Sequence, residues 1–468
     1  MKRYIYLLIS CLIFATSCEN FLDITPDGQV KRDELLNTKS GIEDALYGAY
    51  SQLRNSSLYG QELSFHTLEI LAQYFDCYGN SNITALGKYD YTNTSVKSIF
   101  EAIWTEMYKN ISNVNSILDS DLIHSSEEFP FNIYKGEALG LRAFMHFDLL
   151  RLFTEQITLN PEADGIPYGT EFSLNTPDFR PAKEIYQLII ADLREAERLL
   201  AQENEVESTT TFMTERKIHF NLHAARATLA RVYLTMGNND SAYYYADKVI
   251  AESGRTLTSK TGVNGDLAGV LSNNETIFGV YYAGFYTRVY PKLQQTVSFS
   301  SLNPRSDLMS RYETTSGLDY RSAAYFTTTE TGQVRLSKLT DIYELQNIAG
   351  NRPTDLTLGI NLIRLPEMYL IAAETLLATD YDQALALYNE VIIHRGLEAL
   401  DARPTPEILT QEIINEERYK EFVGEGQTFF NMKRQNLSIL AVDGETTYSP
   451  SNSIYVVPIP DIEYENRY

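Results

Sequence analysis

Residues 227–250 read ATLARVYLTMGNNDSAYYYADKVI, and their pattern returns with unchanged spacing in residues 369–392, YLIAAETLLATDYDQALALYNEVI. Ala230, Leu234, Asp240, Ala242, Val249 and Ile250 of the first stretch match Ala372, Leu376, Asp382, Ala384, Val391 and Ile392 of the second. Apolar residues at helical spacing predict two helices in each stretch, with a short polar turn between them. Alanines at facing positions let the two helices approach closely. Asp240 ahead of the second helix and Gly254 behind it, like Gly396 behind the later one, are start and stop signals.

Small residues on one helix, a short turn and Ala at the start of the next follow the packing logic of tetratricopeptide hairpins. The two hairpins are far apart in sequence, so they are expected to stack around long insertions rather than form a plain solenoid. Working outward, helical spacing also marks Ile42–Leu53, Val96–Leu118, Ala138–Phe153, Ala182–Leu200, His219–Met236, Ser241–Ser253, Pro366–Ala378, Tyr381–Arg395 and Pro406–Val423. In Ala138–Phe153, Leu139, Ala143, Phe147 and Leu150 form one stripe, and Ala138, Leu141, Met145, Leu149 and Leu152 another. A helix apolar on two faces lies between neighbours.

Residues 254–365 differ. They are rich in Gly, Ser, Thr, Asn and Tyr, with short strand-like runs at Thr276–Tyr282 and Val334–Leu339. Loops held on a rigid scaffold are where binding tends to sit. A second irregular stretch, Tyr74–Ser95, holds Tyr78, Tyr89 and Tyr91. The expected fold is mainly α, with tetratricopeptide-like helical hairpins and a less regular insertion of loops and short strands. The chain divides accordingly into a leader at 1–17, a linker at 18–40, a helical part at 41–253, the insertion at 254–365, and a last hairpin and terminal region at 366–468.

The leader follows from residues 1–18. Lys2 and Arg3 precede a short apolar run, Tyr4 to Phe14, and Ala15-Thr16-Ser17 leads into Cys18. Charge, apolar run and small residues are the grammar of a secretory signal, and the run is too short to span a bilayer. Small residues running into a cysteine resemble a bacterial lipobox, whose cysteine is acylated; an ordinary signal with an incidental Cys18 is the alternative. Multiple acyl chains anchor stably where one is marginal. Cys11 leaves with the signal, and Cys18 would carry lipid. Cys77 then stands alone, with no intramolecular disulfide possible. The net charge of −23, or −25 without Lys2 and Arg3, opposes nucleic-acid binding, which needs Lys and Arg against phosphates.

Catalytic signatures are missing: no Walker loop, Gly-x-Ser-x-Gly elbow, dinucleotide glycine fingerprint or HExxH is present. His219 and His223, four apart, suit one helix face but lack a third ligand, so they read as a packed pair. His146 reads as a core histidine. Asp76 to Asn82 (DCYGNSN) lacks the spacing of an EF-hand loop. No carboxylate pair stands out. No cofactor, metal or enzymatic activity is expected.

In sum of its motifs, the chain resembles the SusD/RagB family of surface lipoproteins. Phe21-Leu22-Asp23 and Pro26 follow the cysteine; Ala45, Leu46, Gly48, Tyr50 and Leu53 match the first helix; Trp104, Tyr108, Ile111 and Asn115 match the next. Leu141-Arg142-Ala143, Phe147-Asp148-Leu149, Arg151-Leu152 and Ala227–Gly237 are characteristic, as are Asp319 with Arg321 and Arg364 with Glu367 and Ala373-Glu374. The terminal motif is the most specific: Glu417-Arg418, Glu421-Phe422, Glu425-Gly426, Phe430, Lys433-Arg434 and Val457-Pro458-Ile459-Pro460. Gln427 and Asn431 depart from it, standing where members often carry a His or Asp and an Asp.

The resemblance implies outer-membrane anchoring toward the cell exterior and binding of a nutrient oligosaccharide without catalysis. It also implies delivery to a SusC-like TonB-dependent transporter. Peptide capture, as in RagB-like members, and a ligand-free scaffold docking the transporter are the alternatives. Glycan-binding members hold sugars on aromatics edged by polar groups. With 33 Tyr, 21 Phe and one Trp, stacking would fall to tyrosines, because Trp104 lies in a helix motif and reads as structural. The candidates are Asp76, Tyr78, Asn80, Asn82, Tyr89 and Tyr91 in the first loop, and Tyr282, Phe285, Tyr286, Arg288 and Tyr290 in the second. Arg142, Arg151, Glu417 and Arg418 read as fold-holding charges.

Overall fold

The hairpin pattern becomes geometry in a computed structural model, which describes residues 32–76, 79–125, 128–205, 211–258, 270–271, 274–294, 301–313, 318–340, 350, 357–465 and 467. The leader, Cys18, the Phe21-to-Pro26 motif, Cys77 and Tyr78 lie outside the described residues. Eight helices follow one another in a stack: α1 (Lys39–Leu53), α2 (Thr94–Leu118), α3 (Phe131–Phe153), α4 (Ala182–Leu200), α5 (Leu222–Thr235), α6 (Asn239–Glu252), α7 (Leu365–Leu376) and α8 (Tyr381–His394). Each packs on the next, including α6 on α7, so the two hairpins are spatial neighbours although the insertion separates them in sequence. Ala230, Ala242 and Val249, and their counterparts Ala372, Ala384 and Val391, are all buried in these contacts. Helices α9 (Gln411–Glu421) and α10 (Thr428–Arg434) close the fold, α9 packing on α7.

Side-chain caps set several helix starts. Thr38, Asn93, Asn221, Asn238, Asp380 and Thr410 each accept from a backbone N–H of the first turn. Two starts therefore fall later than periodicity suggests. Asn221 caps Ala224 N at 2.9 Å, so α5 begins after His219. Thr410 caps α9, which begins after Pro406. Helix α3 starts earlier, at Phe131, and every residue from 136 to 153 is buried, as its two stripes require. The close fit has a cost in tolerance, since a Cβ on Gly140 would lie 2.2 Å from the Phe220 ring.

The insertion supplies a three-stranded antiparallel sheet in the order β1 (Val270–Leu271), β3 (Thr357–Arg364), β2 (Thr276–Tyr281). Central β3 runs directly into α7, which ties the sheet to the stack. The strand-like run at 334–339 is shorter than expected. Val334–Leu336 pairs with Phe326–Thr328, but the N–H groups of Ser337 and Lys338 both turn to Tyr325 O.

Buried charges tie distant segments together. Asp319, Glu275, Glu417, Glu421 and Glu425 meet Arg321, Lys338, Arg364, Arg395 and Lys420, five against five. Arg142 forms a fork on Asp192 at 2.7 and 2.8 Å, Arg151 pairs with Asp148, and Arg418 with Glu374. The four charges read as fold-holding thus all have ion-pair partners. Gly424 and Gly426, both at positive φ, aim their N–H groups at buried Glu69 at 2.9 and 2.8 Å. Burial nevertheless pushes the Glu69 carboxyl up to about 8. Trp104 is buried, with Nε1 donating to Glu463 at 3.0 Å. Among the described residues, no helix is long and apolar enough to cross a membrane.

Candidate functional site

Strand β2 ends at Tyr281, where the chain turns into a short helix, Phe285–Leu293. Phe285, Val289 and Leu293, four apart, bury one face of that helix. Tyr286, Arg288 and Tyr290 consequently fall beside or opposite that face and are half-buried, as is Tyr282. The Tyr286 and Tyr290 ring centres lie 5.4 Å apart. The guanidiniums of Arg288 and Arg54 sit 5.7 and 5.8 Å from the Tyr282 ring centre, within cation–π range. Arg54 caps the C-terminus of α1, so it links this loop to the helical stack.

Arg54 also lines an adjoining cleft of about 420 Å³, with Tyr47, Tyr50 and Ser51 of α1, residues 218–219, and Val280 and Tyr281 of β2. Tyr47 is 41% exposed and Tyr281 48%, so the cleft presents two rings to solvent. The floor is fixed. Tyr50 donates to Glu137 Oε2 at 2.6 Å, Arg216 donates to Oε1 at 2.6 Å, and His219 Nδ1 lies 3.2 Å from Oε2. Burial would raise the Glu137 carboxyl, but Arg216 and His219 outweigh it and hold it at about 2. Among the described residues, the lining of the cleft includes no carboxylate. Its chemistry is that of flat apolar ring faces with phenolic hydroxyls and one guanidinium, suited to an uncharged polar ligand with apolar faces.

The first loop divides differently. Asn80 caps a short helix, Ser81–Gly87, accepting from Asn82 N and Ile83 N at 3.1 and 3.3 Å, and Asn82 is exposed. Tyr89 and Tyr91 are core residues. The Tyr89 hydroxyl donates to Leu71 O at 2.7 Å, and that of Tyr91 to Ile454 O at 2.8 Å. Phe285 is likewise buried. These three have their surfaces and polar atoms satisfied inside the protein, and none is offered to solvent. Asp76 pairs with Asn303 in a two-residue strand. The same segment bonds Lys292 O through Leu302 N, so the bases of the two loops meet there. Tyr89 and Tyr91 instead pack toward the C-terminal segment, Tyr89 against Tyr448.

Sequence reading missed Tyr47, Arg54 and Tyr281. Tyr47 was legible: the buried positions of α1 are 41, 42, 46, 49, 50 and 53, and a tyrosine at 47 falls off that stripe. The histidines divide as well. His219 precedes α5 and faces Glu137, while His223 lines a separate charged cleft of about 460 Å³ with Glu203, Arg216, Glu252 and Arg255. Among the described residues, no group of three His, Cys, Asp or Glu could hold a metal ion. His146 is fully buried, Nδ1 to Arg142 O and Nε2 to Gly169 N, and burial brings it down to about 3.

Comparison with known proteins places this arrangement. Residues 20–234 match the family described as "Starch-binding associating with outer membrane", and residues 230–453 match the SusD family. The chain belongs to the SusD/RagB family. It is similar to the SusD-like protein P2 of Formosa agariphila, 23% identical over 99% of this chain and 97% of that protein. A SusD superfamily protein from Bacteroides thetaiotaomicron shares the fold with a TM-score of 0.73, at 24% identity over 91% of this chain and 97% of the other. A laminarin-binding SusD-like protein does so with a TM-score of 0.67, at 19% identity, 92% and 98% covered. The mainly α, SusD-like fold expected from the sequence is thus the one observed. At family level, SusD/RagB membership supports carbohydrate binding and association with the outer membrane.

Proposed function

We propose that this protein is a cell-surface lipoprotein, anchored through acylated Cys18, that binds a nutrient oligosaccharide and delivers it to a SusC-like TonB-dependent outer-membrane transporter. The carrying observation is the exposed tyrosine face: Tyr47 and Tyr281 over a cleft of about 420 Å³, continuous through Arg54 with Tyr282, Tyr286 and Tyr290. A sugar ring's C–H face packs on such rings, while Arg54, Arg288 and the phenols satisfy its hydroxyls. Asp76, which pairs with Asn303 at the base of the loops, and Asn80 and Asn82 of the first loop are secondary candidates. Family membership and a laminarin-binding structural relative favour a glycan over a peptide.

Calorimetric titration against oligosaccharide and peptide pools tests the reading. One ring face is worth about 1 kcal/mol, so Tyr281→Ala or Tyr286→Ala should weaken glycan binding about five- to tenfold. Binding of peptides alone would sink the glycan reading and favour RagB-like capture. Co-purification with a transporter and no ligand binding would favour the scaffold. Cys18→Ala should release the protein from the membrane fraction.

A further inference from the structure

A third, much smaller cavity lies between α3, α5, α7, α9 and α10. It has about 40 Å³, room for about three water-sized groups and too little for a sugar ring. Four arginines line it: Arg151, Arg231, Arg418 and Arg434. The first three are 8%, 4% and 6% exposed.

Their charges do not balance. Arg151 pairs with Asp148. Arg231 forks on Glu367, Nε and Nη2 to the two carboxylate oxygens at 2.5 and 2.6 Å. Arg418 and Arg434 share Glu374, Arg418 at 3.1 Å and Arg434 at 2.6 and 2.9 Å. Among the described residues, four guanidiniums thus meet three carboxylates, whereas the five-against-five network that also uses α9 is neutral. The remaining polar lining is uncharged. Gln427 Oε1 accepts from Arg151 at 3.3 Å, and Asn431 Oδ1 from Arg434 at 2.6 Å. Among the described residues, Arg151 Nε, Arg231 Nη1 and Arg418 Nε have no hydrogen-bond partner, and packing shuts all three atoms off from water. Unpartnered guanidinium groups in the cavity wall, with one uncompensated positive charge, are costly unless a negative charge sits close by.

Lys433, beside Arg151, responds to the same field. Its Nζ donates to Arg151 O and Thr154 O, and burial together with the Arg151 charge brings it down to about 7. Glu155 is the carboxylate that opposes this shift.

We propose that this cavity binds a small monatomic anion of the halide class, chloride foremost, set among the guanidiniums of Arg151, Arg231, Arg418 and Arg434. Water filling the cavity would solvate these groups but leave the charge uncompensated. A halide supplies the missing charge. Gln427, Asn431 and Arg434 are only half-buried and form the side through which the ion exchanges.

Thermal melts of the full chain in sodium chloride, bromide or gluconate, at one ionic strength, test this. Halide should raise the melting temperature saturably, by about 3 °C at a hundredfold excess over Kd, and gluconate is too large to substitute. Crystals grown in bromide should give an anomalous peak in the cavity. Asn431→Asp supplies the missing charge and should abolish the halide increment while melting in gluconate at least as high as the wild type. Superimposed chloride and gluconate melts, no bromide peak, or an increment that survives in Asn431→Asp would each overturn the proposal. If that variant does not fold, the bromide peak in the wild type decides.

Discussion

Replacing Glu421 by Gln removes the charge at the centre of the five-against-five network. The Glu421 side chain is fully buried. It accepts from Arg395 Nε and Nη2 at 2.9 Å each, from Arg364 Nη1 at 2.8 Å, and from Arg321 Nη1 at 3.0 Å. Gross attraction to one such cation is about 4 kcal/mol at an effective dielectric of about 20. Most of that sum is spent on desolvation, and breaking a buried pair on one side costs about 3–5 kcal/mol net. Each arginine keeps other partners: Glu275 and Glu425 for Arg364, Glu275 for Arg395, Asp319 and Glu417 for Arg321. The loss therefore stays in that range rather than tripling. Unfolding entropy of about 2.1 cal/mol/K per residue gives about 1 kcal/mol/K for a chain this long, hence a fall of about 3–5 °C. Calorimetry with Glu162→Gln as control reads it, since Glu162 pairs with Lys183 at the surface and its loss should be silent. Burial alone would raise the Glu421 carboxyl, but Arg395, Arg364 and Arg321 hold it well below the usual range. Its stabilisation is therefore complete above the unfolded value near 4.5 and is lost as pH falls through the folded one. The gap between wild type and Glu421→Gln should narrow in acid. A gap below about 1 kcal/mol at neutral pH would refute the reasoning.

Glu137→Gln should cost about 3 kcal/mol at pH 7, the worth of a carboxyl moved from 4.5 to about 2. Because the folded value is the lower one, that difference should close in urea titrations between pH 4.5 and 2. Gly140→Ala should destabilise by about 1–3 kcal/mol, because the new methyl meets the Phe220 ring and neither α3 nor that ring has room to yield. Tyr91→Phe should lower stability by about 1 kcal/mol, the worth of its bond to Ile454 O, and leave glycan affinity unchanged in the same titration that registers Tyr281→Ala.

The helical stack was legible because its rule is local. Ala230 and Ala372 sit at equivalent places in equivalent hairpins, and helical spacing reports burial on one face. Helix starts were less so, since Asn221 caps through a side-chain bond that periodicity does not register. The candidate face was legible only in part. Tyr282, Tyr286, Arg288 and Tyr290 come from one loop, so the sequence proposes them together. Tyr47 and Arg54 reach the same face from α1, more than two hundred residues earlier, and only folding brings them there. Tyr89 and Tyr91 illustrate the opposite error. In a segment rich in Asn and Gly they look like loop tyrosines, yet Leu71 O and Ile454 O draw their hydroxyls inward.

Three segments converge on the tyrosine face, and each is pinned to the helical stack beneath it. Helix α1 is held by Tyr50 on Glu137 of α3. The 216–219 segment is held by Arg216 and His219 on the same carboxylate. Strand β2 is held by β3, which continues into α7. Glu137 therefore fixes two of the three walls, and the third is fixed through the buried charges of Glu275 and Arg364 at the start of β2 and the end of β3. On the reading proposed above, with the leader removed and Cys18 acylated, Cys77 stands alone, and an irregular face needs something other than an intramolecular disulfide to hold it in register. Buried ion pairs between distant segments provide it, because they are satisfied in one pairing and costly in any other. On this argument the face owes its shape less to its own loop sequence than to carboxylates buried beneath it.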